Sequence, residues 1–273
     1  RASPSMSRES ASREVEPVIT GGSRGIGKAV AREFGREGVE VVLVSGGIGD
    51  LEATSKELAD DTGGRYIPIV ADISSEDSIK AMVQRAAQEL GHLDILVNGA
   101  ARVGGSRPAP SLAEITAEDF WDDMKTKVLG YLTCAREVAP HMASQGWGRI
   151  INISGLAARQ SGTIIGSMRN VSVAAMTKNL ADQLGPQGIN VTVVHPGLTR
   201  TERTPALVEA QMSSQSITAQ EAEKRMAANI SIGRMVDAEE IAYVITFLAS
   251  PKSVAINGDA IATAGGSGRA IHY

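Results

Sequence analysis

The sequence predicts a doubly wound α/β fold, a parallel sheet of about seven strands with helices on both faces, from three observations. Short apolar runs bounded by turn residues alternate with stretches of helical period. The first run leads at once into the glycine-spaced turn Thr20-Gly21-Gly22-Ser23-Arg24-Gly25-Ile26-Gly27, and an amphipathic helix follows it. The chain has 273 residues, 42% of them hydrophobic, which suits one large core better than two small ones.

Strands are expected at Val18–Thr20, Val39–Val44, Tyr66–Val70, Leu93–Val97, Arg149–Ile153, Ile189–Val194 and Ala260–Thr263. Pro17 cannot donate a ladder hydrogen bond, so the first strand is expected to be short or to begin after it. Helices are expected near Ile26–Glu37, Asp50–Asp60, Ser75–Glu89, Ala117–Ala143, Ile164–Leu184 and Ala238–Leu248. In the fourth, Phe120, Met124, Val128, Leu132 and Ala135 recur at spacings of three and four and share a face. The fifth is dense in small and apolar residues (Val171, Val173, Ala174, Ala175, Met176, Ala181) and seeks burial on more than one side. Residues 199–233 interrupt the alternation with polar, helical sequence, the pattern of a substrate lid. Residues 1–14 are rich in Ser, Arg and Glu and read as a disordered arm, with Met6 a candidate start, so the folded domain spans 15–273.

Net charge is −4, with 27 basic residues interspersed among 31 acidic ones, so a nucleic-acid partner is not expected. Cys134 is the single cysteine; no intrachain disulfide forms, and a reducing compartment fits. With neither a long apolar run nor a signal segment, a cytoplasmic protein without membrane attachment is expected. No metal-ligand spacing stands out.

The glycine turn carries the first chemistry. Glycines permit positive φ and remove the Cβ that would hold a diphosphate away from the backbone, while the following helix offers free N–H groups and the positive end of its dipole. The expected cofactor-binding residues here are Gly21, Ser23, Arg24, Gly25, Ile26 and Gly27 of a Rossmann-type domain. NAD selection uses a carboxylate at the end of the second strand, where this chain has Ser45-Gly46-Gly47. Arg24 is either a donor to a 2′-phosphate or a solvated turn residue. NADP(H) is therefore preferred, with NAD(H) possible.

The spacing TGxxxGIG, then Val70-Ala71-Asp72-Ile73, Leu96-Val97-Asn98-Gly99-Ala100-Ala101, Ile151-Asn152-Ile153-Ser154 and His195-Pro196-Gly197 with Thr201 four residues on, resembles the short-chain dehydrogenase/reductase family. The likeness runs over residues 15–265. It implies that Asp72 and Ile73 contact the adenine, that Asn98, Gly99 and Ala100 line the adenine ribose side, and that Pro196, Gly197 and Thr201 hold the nicotinamide amide. It also implies a homodimer or homotetramer, paired through the 117–143 and 164–184 helices.

That family uses a Ser, a Tyr, a Lys four residues beyond the Tyr, and an Asn on the fourth helix. Aligned through Val171 to Leu180, the chain has Gly166 in the tyrosine's place and Asn170 in the lysine's. Its tyrosines are Tyr66, Tyr131, Tyr243 and Tyr273, none of them in the catalytic segment. The serine falls at Ser154 or Gly155, and the helix Asn aligns with Lys127. A positioned acid contributes about 100- to 10,000-fold, and proximity supplies about 7–11 kcal/mol more, so loss of the tyrosine slows hydride transfer without forbidding it.

Lys127 is the first candidate catalytic residue, as a desolvated ammonium; the bland alternative is a helix lysine with its head in water. Ser154 hydrogen-bonds a substrate carbonyl or caps the strand end. His195 is either a proton carrier or a packed ring. The Thr163 and Ser167 hydroxyls donate hydrogen bonds but are very weak acids. Three functions follow: an NADP(H)-dependent oxidoreductase of a small carbonyl or alcohol with a non-standard proton donor, a catalytically degenerate nucleotide-binding protein, or a non-redox enzyme using the same cavity.

Overall fold

Residues 15–101 and 110–268 are described by the computed structural model; the 1–14 arm and Tyr273 lie outside the described residues. Seven parallel strands form one sheet in the order β3-β2-β1-β4-β5-β6-β9. They are β1 (Pro17–Thr20), β2 (Val41–Ser45), β3 (Tyr66–Val70), β4 (Ile95–Asn98), β5 (Gly148–Ile153), β6 (Ile189–Pro196) and β9 (Ala260–Thr263). Pro17 opens β1 rather than preceding it, in register with Ile95, at the strand's first residue, where a missing donor is tolerated.

Alternate residues of each strand feed two separate cores. Val18, Val42, Val44 and Leu96 face one layer, while Ile19, Val41, Leu43 and Val97 face the other. Burial on both faces is why these strands read as unbroken apolar runs. The first layer holds α3 (Glu76–Leu90), α5 (Gly130–Gln145) and α6 (Ile164–Leu184); the second holds α1 (Gly25–Arg36), α2 (Ile48–Thr62) and α9 (Ala238–Ala249). Sheet order reverses between β1 and β4, and ligands of such sheets bind beyond the strands' carboxyl ends at that reversal.

The long helix expected over 117–143 is broken. It runs as α4 (Ala117–Met124), a π turn at Lys125–Leu129, and α5. A π turn bonds i to i+5, so its extra residue shifts the phase of every side chain after it. The face expected from Phe120 to Ala135 is therefore not continuous. Leu132 is 41% exposed, whereas Lys127, Tyr131, Cys134, Val138 and Met142 turn inward.

Between β6 and α9 the chain forms β7 (Thr199–Arg200), α7 (Thr204–Gln215), α8 (Ala219–Met226) and β8 (Val236–Asp237), with β7 and β8 paired in a small parallel sheet. Among the described residues, no helix is long and apolar enough to cross a membrane.

Candidate active site

All the strands run the same way, so the ends of β1, β2, β4, β5 and β6 deliver Thr20, Ser45, Asn98, Ile153 and Pro196 to one edge of the sheet. Thr20 locks this edge: its Oγ1 accepts the N–H groups of Gly99 at 3.1 Å and Ala100 at 3.2 Å. Asn98 is wholly buried, and its amide is turned inward. Its Nδ2 donates to Asn152 Oδ1 at 2.9 Å, and Asn152 Nδ2 donates to Thr177 Oγ1 at 2.9 Å. This ladder ties β4 to β5 and to α6.

The glycine turn is compact. Gly21 has φ +72, and a Cβ there would lie 2.8 Å from the Gly99 backbone. A Cβ on Gly27 would lie 2.3 Å from Gly21 O. Ser23 is buried, and its carbonyl accepts from Thr54 Oγ1 at 2.9 Å. Arg24 is exposed at the N-cap of α1, and Ile26 packs against the sheet's second core. Gly25 N–H already holds an anion, donating to Glu202 Oε2 at 3.0 Å. A turn without room for a Cβ, ending in a donor that binds a carboxylate, suits the diphosphate of a dinucleotide.

The other expected cofactor residues flank that turn. Ser45 accepts Gly47 N–H at 3.4 Å. Asp72 is exposed, with Oδ1 held by Ser74 N–H and Oγ at 2.8 and 2.7 Å. Ile73 is buried, its carbonyl lying against Gly130 of α5. Thr201 shares a cavity of about 240 Å³ with Gly25, Lys28 and Glu202. Pro196 and Gly197 line a second, larger cavity of about 780 Å³, together with Ser154, Gly155, Arg169 and Asn170.

Lys127 sits immediately behind that larger cavity. Aimed inward by the π turn, it is 5% exposed, and its Nζ donates to Ser154 O at 2.8 Å. Burial, then the Arg169 guanidinium, hold its ammonium down at about 7, against a smaller upward pull from Asp123. The reading of Lys127 as a solvated helix lysine is thereby overturned. Ser154 Oγ donates to Asn170 O at 3.0 Å. Asn170 is 4% exposed, its amide stands against Gly155, and its Oδ1 has no hydrogen-bond partner. Gly166 is buried one turn into α6, its N–H held by Thr163 Oγ1 at 3.1 Å. Thr163 is thus an N-cap.

The remaining titratable candidates are spent elsewhere. His195 is 1% exposed, and burial, with Arg159 and Lys127 nearby, lowers its pKa to about 4, so the ring is neutral at pH 7. Tyr131 donates to Ile153 O at 3.2 Å, and burial pushes its phenol far above the ordinary value. Sequence reasoning missed Arg169, which binds both oxygens of Asp123 through Nη1 at 2.7 and 2.8 Å. Its place three residues beyond Gly166, on the same helical face, is a signal that was available. Glu202 was missed as well; nothing in its local sequence ties it to the glycine turn, 177 residues away.

The family described as enoyl-(acyl carrier protein) reductase matches residues 21–267. The short-chain reductase NovJ of Streptomyces niveus is 33% identical over 93% of this chain and 94% of its own. The crystal structure of YwfH, an NADPH-dependent reductase involved in bacilysin biosynthesis, superposes with a TM-score of 0.85 at 28% identity, over 94% of this chain and all of the other. The actinorhodin polyketide ketoreductase solved with NADPH gives 0.85 at 30% identity, over 93% of this chain and 97% of the other. Sheet order, glycine turn and end-to-end likeness agree that the chain belongs to the short-chain dehydrogenase/reductase family.

Proposed function

We propose that this protein is an NADP(H)-dependent oxidoreductase of small carbonyl compounds or alcohols, in which Lys127 and Ser154 stand in for the tyrosine and lysine that Gly166 and Asn170 replace. One observation carries the reading: a buried ammonium that titrates near neutrality is fastened to the cavity wall at Ser154. The two solved neighbours, both associated with NADPH by name, support the coenzyme, as does the lack of a carboxylate at Ser45. Asn170 Oδ1, a buried acceptor without a partner, offers a place for a hydroxyl donor.

The nicotinamide coenzyme supplies the hydride when bound. Gly21, Gly25 and Gly27 bring backbone close to its diphosphate, and Pro196, Gly197 and Thr201 hold its reactive end. Ser154 offers its hydroxyl to the substrate oxygen. Lys127 places positive charge behind that oxygen and holds a proton that leaves readily at neutral pH. Residues 199–233 act as the lid, since Met226, Ala228 and Ser231 already form one side of the cavity. Ile164, Met168 and Val171 leave one side of α6 exposed, and we assign that side to subunit pairing in a homodimer or homotetramer.

NADPH oxidation with a panel of ketoacids, sugars and cyclic ketones is expected to exceed the solvent background for at least one compound. NADPH binding without turnover across the panel overturns the reading in favour of a nucleotide-binding protein. Product formation without a change in nicotinamide absorbance makes it a non-redox enzyme.

Arg24→Ala is expected to weaken NADPH binding about tenfold, the worth of one exposed charge-assisted contact to a 2′-phosphate, while leaving NADH unchanged. Titration of both coenzymes checks this; equal losses show Arg24 to be a solvated turn residue.

A further inference from the structure

The larger cavity is unusual in its charge. Among its described lining residues there is no Asp or Glu, and Arg169 is the one ionised side chain. The Lys127 ammonium stands just behind the same wall. A cavity with cations and no lining carboxylate favours an anion over a neutral or cationic ligand.

The Arg169 guanidinium is only partly used. Its side chain is 18% exposed, and Nη1 alone makes the ion pair with Asp123, taking both carboxylate oxygens at 2.7 and 2.8 Å. Nε is buried without a hydrogen-bond partner, although an unpaired buried donor is costly and rare. Nη2 lies 3.9 Å from the point where a Cβ on Gly166 would stand. Thr163 Oγ1 occupies that point, so the guanidinium is approached from the cavity that Arg169 lines. With Nε enclosed and Nη1 taken by Asp123, Nη2 is the donor left for a ligand, and it suits a charge-assisted hydrogen bond to a carboxylate oxygen.

We propose that Arg169 is a substrate-recognition residue whose Nη2 donates to a carboxylate on the substrate, so that the compound reduced is an oxo acid. Asp123 serves as a positioning residue that anchors the guanidinium through Nη1 and leaves Nη2 for the ligand. A lysine at 169 keeps the charge but lacks the planar guanidinium that Asp123 orients, and it recovers only part of the preference.

This inference rests on reading the cavity as the substrate site, and its test does not need turnover. Benzoate and benzamide have nearly the same shape and differ in charge. Calorimetric titration of each into the full chain, with and without NADP⁺, is expected to show benzoate binding about 10- to 100-fold more tightly, the worth of a charged hydrogen-bonded pair. The preference is expected to fall to near unity in Arg169→Gln and to survive in part in Arg169→Lys. Because Arg169→Gln strands the Asp123 carboxylate, the double variant Asp123→Asn/Arg169→Gln is measured beside it, and a native circular dichroism spectrum certifies the fold of each.

Equal binding of the two probes by the wild-type chain overturns the proposal. So does failure of millimolar benzoate to bind, or a benzoate preference that persists in the double variant. An Arg169-dependent benzoate preference in a protein that oxidises NADPH with no carbonyl compound sustains the carboxylate site and removes the oxidoreductase reading. Turnover that is indifferent to methyl esterification of the oxo acid does the reverse.

Discussion

Lys127→Met is expected to lower kcat for carbonyl reduction about 100- to 10,000-fold, the usual contribution of a positioned acid, while coenzyme affinity stays within about twofold. The reason is positional. The ammonium is attached to the backbone of Ser154 at the cavity wall, whereas the glycine turn lies at the ends of β1 and β2. The wild-type rate of reduction is expected to fall as pH rises through about 7, because the protonated form is the one consumed. Oxidation of the alcohol follows the opposite limb. Burial sets this value first, then the Arg169 guanidinium on α6, while the Asp123 carboxylate on α4 pulls the other way. A steady-state pH profile of wild type and variant checks the assignment. An unchanged fall in rate above about pH 7 in Lys127→Met would show that another group carries the proton.

The same residue makes a second, opposite prediction for stability. Its folded-state pKa of about 7 lies below the ordinary 10.5, so between those values the unfolded chain binds more protons and stability rises with pH. Below pH 7 the full cost of burying the ammonium is felt. Lys127→Met is therefore expected to melt higher than wild type at pH 6, with the gap narrowing toward pH 10, as thermal scans would show. A residue that costs stability and sits at a cavity is what a functional site leads one to expect.

Gly27→Ala is expected to do the largest structural damage, removing about 3 kcal/mol of unfolding free energy and reducing coenzyme affinity at least tenfold. The new methyl would stand 2.3 Å from Gly21 O and 2.9 Å from Gly21 C. Both are backbone atoms of the turn itself, so neither yields without moving the phosphate cradle. Gly49→Ala is the control: nothing lies within 4 Å of its added methyl, it sits in the first turn of α2, and helix propensity favours the change. Chemical denaturation together with coenzyme titration separates the two. Equal behaviour of the pair would mean that the turn is looser than its geometry.

The sheet and the glycine turn were legible because their signals are local and repeated. β-branched residues such as Val41 and Val44 lie in short runs, and Gly21, Gly25 and Gly27 stand between a strand and a helix. The inward turn of Lys127 was not legible. Lys125-Thr126-Lys127-Val128-Leu129 has an ordinary helical composition, and only the i to i+5 bonding that rotates it reveals which side chain is buried. Asn98 illustrates a different limit. A strand-end amide in a cofactor motif suggests a contact with ligand, yet its partners lie 54 residues away at Asn152 and 33 away at Tyr131. Arg169 was legible by its place on the face of Gly166, but its partner was not: Asp123 is on another helix, 46 residues away.

The Asn98, Asn152 and Thr177 ladder bears on how such a site changes its chemistry. These three side chains clamp two strand tips and a helix using only one another and nearby main chain, without help from the reacting groups. Positions 127, 154, 166 and 170 can therefore be exchanged over a platform that stays shut beneath them. One chassis can accept a new proton donor, or a new acid-binding arm, without having to be refolded around it.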